Sequence, residues 1–346
     1  MLDEILNIQD RGARVTIMGD INEPVFAYFN PSIAYDGKGK LRINIRACNF
    51  AVMRHGMYYY RDNKGYSVTK NMYGYLDPVS LEITDLKEVK HCDKTPTEIV
   101  RSGLEDARLF WRKDGMHFSG ARVDTRPMYK TPAQQAEFVF DDKSGCLKYL
   151  RTMFSPSPAR AEKNWMPTDK PGKFEYNYSP TQIYKGTRVE GERYDGFIHG
   201  GSQLLWQPKT KTYLAVLHSK HYNPMIVNKA YDNMIYVHYF AEYNEGGMLT
   251  KISEPFRFGL LDNIEFASGM VEHDGDLLMV FGIGDARFGF ARINKEKAID
   301  MLSKYDGVDR NPLPPLTKAQ ARYIERERYH ATRQQQTNKR VKIFKY

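Results

Sequence analysis

Cysteine and tryptophan are scarce, three of each in 346 residues. Cys48, Cys92 and Cys146 are odd in number and share no metal-type spacing, so the sequence supports neither a disulfide frame nor a zinc site. No metal and no cofactor is expected, and a reducing cytoplasm fits. Long apolar runs are also missing. The longest, such as Leu277 to Phe281, are far too short to span a bilayer, and the Met1-Leu2-Asp3-Glu4-Ile5-Leu6 start lacks the basic and apolar regions of a secretory signal. A soluble, unprocessed protein with no membrane partner is expected. Helical periodicity is hard to find before residue 295, and there is no Gly-x-Ser-x-Gly elbow. Gly282-Ile283-Gly284 ends a strand with no amphipathic helix after it, which argues against a dinucleotide site. His218 and His221 leave a strand into a loop with no third ligand spaced for zinc.

Charge is present, and it is unevenly placed. The net charge is +9. From Arg310 to Tyr346 there are ten Lys/Arg against Glu325 and Glu327, a segment of +8 behind a body of +1. Such a tail suggests an anionic partner, with Arg322, Arg326, Arg328, Arg333, Lys339 and Arg340 as the phosphate-holding candidates; a helix that only aids solubility is the plain alternative. Lys295 to Lys304 reads as a short helix. Asn311-Pro312-Leu313-Pro314-Pro315 breaks it, and Thr317 to about Gln336 reads as an Arg-rich helix capped by Thr317.

Five stretches share one grammar, a small or polar cluster, a few apolar residues, a turn and an alternating strand. They are Asn30 to Tyr35, Glu105 to Phe110, Glu162 to Pro167, His199 to Leu205 and Glu265 to Met270. Their spacing of about 40 to 75 residues is that of a four-stranded propeller blade with variable loops. The expected fold is therefore all-β, a five-bladed β-propeller over residues 20–295 with a short helical, basic extension over 296–346. Two β-sandwich domains would also account for the strand density. In a propeller the five polar clusters would converge on the axis.

The run Gly103-Leu104-Glu105-Asp106-Ala107-Arg108-Leu109-Phe110 places two acids and a base at the mouth of a hairpin that turns at Lys113-Asp114-Gly115. Glu105 would raise the proton affinity of Asp106 and Arg108 would lower it, and the sequence does not decide between them. Tyr58-Tyr59-Tyr60, with Arg54 and Arg61, would suit either stacking on a base or sugar or ordinary strand packing.

Taken in order, Glu105-Asp106-Ala107-Arg108, Glu162-Lys163-Asn164-Trp165, Gly200-Gly201-Ser202, Leu214 to His218, Ile252 to Phe256, Glu265 to Gly269 and Phe281 to Asp285 resemble the motifs of the five-bladed β-propeller glycosidase-like proteins. Within these the likeness is to the β-mannoside phosphorylases and related β-mannosyltransferases, and it covers roughly residues 28 to 293. The resemblance implies that Asp106 is the catalytic proton carrier, with Ala107 where the family has Pro. It implies phosphate binding by Arg46, Arg122, Lys163 and His218, with Tyr231 also matched. His199 stands where the family has Arg, and Asp285 matches an acid that binds sugar hydroxyls. Asn30, Glu105, Arg108, Asn164 and Glu265 complete the candidate substrate-binding set.

Sugar transfer needs one group to move a proton, donors for the departing oxygens, and carboxylates or aromatics to fix the ring. Hydrolysis uses two opposed carboxylates, and Glu105, Asp106, Glu162, Glu265 and Asp285 include enough for that. A cation-rich site favours a phosphorylated reactant instead. The expected activity is an inverting glycosyltransferase using a nucleotide-sugar or sugar-phosphate donor. The alternatives are a phosphorylase acting on β-mannosides and a non-catalytic propeller that binds carbohydrate or nucleic acid. The tail points to an acceptor on an anionic polymer, with modified DNA first and a free saccharide second, in the cytoplasm, or the host cytoplasm if viral.

Overall fold

The computed structural model describes residues 5–19, 21–52, 58–62, 65–92, 103–122, 134–153, 163–169, 173–178, 181–185, 188–190, 198–222, 234–259 and 264–305. These residues are almost entirely strand. Leu41–Cys48 illustrates the local cause: Leu41, Ile43, Ile45 and Ala47 alternate with Arg42, Asn44 and Arg46, the period of a strand. Yet Asn44 and Arg46 are buried as well, at 0% and 5% exposure. A strand of a two-sheet sandwich turns its polar half to water; here both faces are covered, so the polar half must be bonded inside the protein.

Among the described residues five sheets have four or more strands. The first runs Ala27–Tyr35, Leu41–Cys48, Thr69–Leu76 and Ile83–Glu88. The second runs Leu104–Arg112, Gly115–Arg122, Gln134–Asp141 and Cys146–Met153, with Lys90–His91 added in parallel. The third runs Met166–Pro167, Lys173–Tyr178, Thr181–Lys185 and Arg188–Glu190. In the fourth, Ile198–Gly200 and Leu205–Gln207 both pair with Thr212–Tyr222, which pairs with Met234–Asn244. The fifth runs Glu265–His273, Asp276–Ile283, Arg287–Asn294 and then Arg14–Ile17 from the other end of the chain.

Each of the five clusters picked out in the sequence contributes to an edge strand of a different sheet, and those strands pack together. Ala27–Tyr35 touches both Leu104–Arg112 and Glu265–His273. Leu104–Arg112 touches Met166–Pro167, Lys173–Tyr178 touches Ile198–Gly200, and Thr212–Tyr222 touches Glu265–His273, so the circuit of sheets closes. Apolar clusters fill the wedges between neighbours, for example Ile33, Ile43 and Ile45 of the first sheet against Val271, Leu278 and Val280 of the fifth. Polar side chains tie the centre. Ser32 Oγ donates to Ala107 O at 2.6 Å, Ser268 Oγ to Pro31 O at 2.6 Å, and Gln203 Nε2 to Ile33 O and Met270 O at 2.7 and 2.8 Å.

Two expectations differ from the structure. The helix at Lys295 is shorter than its sequence suggests: it covers Lys295–Asp300, capped by Asn294, and Leu302–Lys304 instead pairs with Leu249–Ser253. Arg14–Ile17 also pairs into the fifth sheet. Cys92 and Cys146 form a disulfide, with Cα atoms 5.2 Å apart, and Cys48 stays free. Their separation of 54 residues carries no signal in the sequence, because the parallel pairing Cys146↔Lys90 is what brings them together. The basic tail, including Arg322, Arg326, Arg328, Arg333, Lys339 and Arg340, lies outside the described residues, as does Tyr231. Among the described residues no helix is long and apolar enough to cross a membrane.

Candidate functional site

Asp106 sits on a bulge. Pairing between Leu104–Arg112 and Gly115–Arg122 slips between Glu105 and Arg108, and Asp106 takes φ 49°. Asn30 occupies the matching bulge of the first sheet, between Phe29 and Ser32, at φ 46°. Asn164 and Asp285 are likewise left-handed, at φ 65° and 51°. Short polar side chains tolerate that region better than most, and bulges re-aim the side chains they carry. The resemblance's Pro is Ala107 here, fully buried, and its carbonyl accepts from Ser32. Gly282 has a reason unrelated to nucleotides, since a Cβ there would run into Asn30 Oδ1.

The bulges bring together the side chains that the sequence only suggested. Asn30 Nδ2 and Arg46 Nη1 each donate to Asp106 Oδ1 at 2.9 Å. Arg46 Nη1 is also 3.4 Å from Glu105 Oε1, which Lys163 Nζ meets at 2.5 Å. Burial alone would push the Asp106 carboxyl up. The charges of Arg46, Arg108 and Lys163 and the Asn30 hydrogen bond outweigh it and bring the pKa down to about 2. Asp106 is therefore a carboxylate at neutral pH. Arg46 faces the same desolvation, yet the charges of Glu105, Asp106 and Asp285 hold it firmly charged.

Asp285 lies at the opposite extreme. Burial raises it, Arg46 lowers it, and the charges of Asp106 and Glu105 raise it further, to about 6. Because its proton is bound more tightly in the folded state, Asp285 adds stability below its ordinary value of 3.8, and that contribution is lost as pH rises through about 6. Asp285→Asn is thus expected to stabilise the protein at pH 7.5 by about 3 kcal/mol, from a shift of roughly two units. The gain should vanish at pH 4. Urea unfolding of both proteins at the two pH values checks this; an equal gain at both would refute the assigned cause.

His218 is fully buried, and among the described residues neither of its ring nitrogens has a hydrogen-bond partner. Burial, helped by the charges of His199, Lys220, His238 and Arg108, keeps it neutral, well below its ordinary pKa. It stacks on Tyr236 at 5.8 Å and meets Phe266 edge-on at 4.8 Å. The exposed His199 ring is 5.7 Å away. An imidazole buried without a hydrogen-bond partner has a donor and an acceptor unused.

Other expected residues turn inward. Arg108, 1% exposed, donates from Nε to Gly201 O at 2.9 Å, from Nη1 to Asp106 O at 2.6 Å and from Nη2 to Asn164 Oδ1 at 3.0 Å. These bonds make it a strut between sheets. Glu265, fully buried, accepts from Phe258 N at 2.7 Å and sits 3.6 Å from Arg257, which ties down the neighbouring segment. Arg122 pairs through its backbone with Leu104 and Gln134, and its side chain is outside the description. Two residues escaped the sequence reading. Lys220 is exposed two positions after His218 on one strand, and Tyr236 is its cross-strand partner. The i, i+2 spacing that puts Lys220 on the His218 face was the available signal.

This near all-β circuit has counterparts among solved structures. The β-1,2-mannobiose phosphorylase of Listeria innocua matches with TM-score 0.52 and 15% identity, over 82% of this chain and 94% of that one. A mannose phosphorylase from Leishmania mexicana, solved with a phosphate ion, matches with TM-score 0.53 and 14% identity, over 88% and 96%. A GDP-Man-dependent mannosyltransferase from the same organism matches with TM-score 0.54 and 14% identity, over 81% and 90%. At these identities the shared property is the fold, the propeller-like fold of the glycosidase-like phosphorylases. No protein-family model and no curated protein sequence matches the chain.

Proposed function

We propose that the chain is a five-bladed β-propeller enzyme that moves a sugar, with inversion, from a phosphorylated donor to an acceptor hydroxyl. The observation that carries this is the Asp106 carboxylate, ionised and fixed by Asn30 and Arg46 beside the cations Arg46 and Lys163. An ionised carboxylate accepts the proton of the attacking hydroxyl, directly or through a sugar hydroxyl. The acceptor oxygen bonds to the anomeric carbon while the bond from that carbon to the phosphate oxygen breaks. The phosphate leaves with the electron pair, toward Arg46, Lys163 and a neutral His218 that has an N–H to donate. Attack opposite the leaving group inverts the carbon. Asp285, largely protonated below pH 6, adds no charge against a phosphorylated donor and can both donate to and accept from sugar hydroxyls.

Phosphorolysis is the second possibility, and the same geometry favours it under one condition. Asp106 must then hold a proton for the departing sugar oxygen, and a phosphate dianion on Arg46 and Lys163 would offset the charges that keep the pKa of Asp106 low. Incubation with a panel of nucleotide sugars and sugar 1-phosphates, followed by mass spectrometry, separates the cases. Nucleotide release supports transfer and phosphate release from a sugar 1-phosphate supports the phosphorylase. Release of neither, with every acceptor tried, leaves a binding propeller.

The acceptor we propose is part of an anionic polymer such as modified DNA, because a segment of +8 on a body of +1 suits a polyanion better than a neutral saccharide. Affinity for DNA should fall steeply with salt, and removing residues 317–346 should flatten that slope while donor turnover persists. A full-length protein whose DNA affinity ignores salt would favour a saccharide acceptor.

A further inference from the structure

Cys48 lies two residues beyond Arg46 on the same strand, so the two side chains share a face. It is fully buried, and the position it pairs with across the sheet is Thr69. Arg46 Nε donates to Cys48 Sγ at 3.1 Å, and Sγ lies 3.2 Å from Thr69 Oγ1. The rest of the guanidinium is also constrained. Nη1 is bound to Asp106, and Phe29 and Phe50 approach the group at 5.1 and 5.8 Å from their ring centres. Among the described residues Nη2 has no hydrogen-bond acceptor.

We propose that Cys48, backed by Thr69, is a positioning residue for Arg46: its sulfur fixes the Nε side of the guanidinium, so that Nη1 meets Asp106 and Nη2 is turned to the phosphate of the donor. The last clause rests on the proposed function; the rest does not. Burial pushes the thiol up to about 11 against the pull of Arg46, so Cys48 stays neutral. A neutral thiol accepts from Nε and leaves its S–H for Thr69. It takes up none of the charge on Arg46, which stays available to Asp106 and phosphate. A thiolate there would compete with both.

The test uses the full chain with three substitutions, Cys48→Val, Cys48→Ser and Thr69→Val. Valine keeps the shape and removes the acceptor, whereas serine keeps an acceptor and a donor. A crystal structure of Cys48→Val should show the guanidinium turned away from Asp106. With a sugar 1-phosphate or nucleotide sugar, KM in Cys48→Val should rise about tenfold, the loss expected for one hydrogen bond to a charged group. Thr69→Val should move KM in the same direction, and Cys48→Ser should stay near wild type. An unmoved Arg46 in the Cys48→Val crystals, or a Cys48→Ser protein as impaired as Cys48→Val, overturns the proposal. Should Cys48→Val not fold, the Arg46 position and KM in Thr69→Val decide in the same way. A wild-type protein that turns over no phosphorylated sugar would sink the proposed function alone, since the crystallographic comparison still decides what Cys48 does.

Discussion

Replacing Asp106 by Asn should lower turnover about a hundred- to ten-thousandfold, the range for losing a positioned acid-base group. The protein should still fold and bind donor. Asn tolerates the left-handed backbone at φ 49° as Asp does, and its Oδ1 can accept the same hydrogen bonds from Asn30 and Arg46. What it cannot do is take a proton. Removing a negative charge beside Arg46 and Lys163 should leave phosphate affinity intact or slightly stronger. Steady-state rates with the donor identified by mass spectrometry, alongside calorimetry with inorganic phosphate, separate the two effects. Wild-type rates in Asp106→Asn would end its assignment as the proton carrier, while unchanged rates accompanied by lost phosphate binding would move it to the binding set.

The second large effect should fall far from the mouth. Glu137, 1% exposed in the second sheet, holds Arg112 through Oε1 and Arg151 through Oε2, the latter at 2.6 Å. His117 Nδ1 lies 3.1 Å from Glu137 and its Nε2 lies 2.9 Å from Asp114. Arg112 Nη2 reaches on to Thr168 O at 3.4 Å, beside the third sheet. Burial would raise the pKa of Glu137, but the His117 hydrogen bond and the two arginines hold it down, to about 2. Glu137→Ala would leave Arg112 and His117 buried without their anion, so a loss of about 3–5 kcal/mol is expected in urea unfolding at pH 7. The folded pKa is depressed from 4.5, so this contribution is complete above 4.5 and fades as pH falls toward 2. The gap between wild type and Glu137→Ala should therefore narrow on acidification. A gap that stays constant from pH 7 to pH 3 would show that packing, not charge, sets the cost.

The circuit of sheets was legible because the strands repeat one pattern. A polar cluster followed by a short apolar run marked an edge strand five times. What remained hidden depends on contacts across long separations. The Cys92–Cys146 bridge needs a parallel strand pair to exist before the two residues meet. Arg108 has the composition of a ligand-binding cation, and only the approach of Gly201 and Asn164 reveals it as a strut. The ionisation order of Asp106 and Asp285 was beyond reach for the same reason. Both are aspartates at the edge of a strand, and they differ only in which charges the other sheets bring near them.

The fifth sheet completes itself with Arg14–Ile17, in register from Arg14↔Arg292 to Ile17↔Gly289. This pairing joins segments from opposite ends of the circuit, so nearly the whole body is enclosed in the loop it closes. The entropy of closure grows only with the logarithm of loop length, and a loop this large costs little more than one half its size. The kinetics differ. Contacts between such distant segments form slowly, and until this one forms, Arg287–Asn294 presents an open edge to any other strand in solution. Refolding yield should thus be governed by concentration during that interval, with the short N-terminal strand acting as the protein's own competitor against self-association.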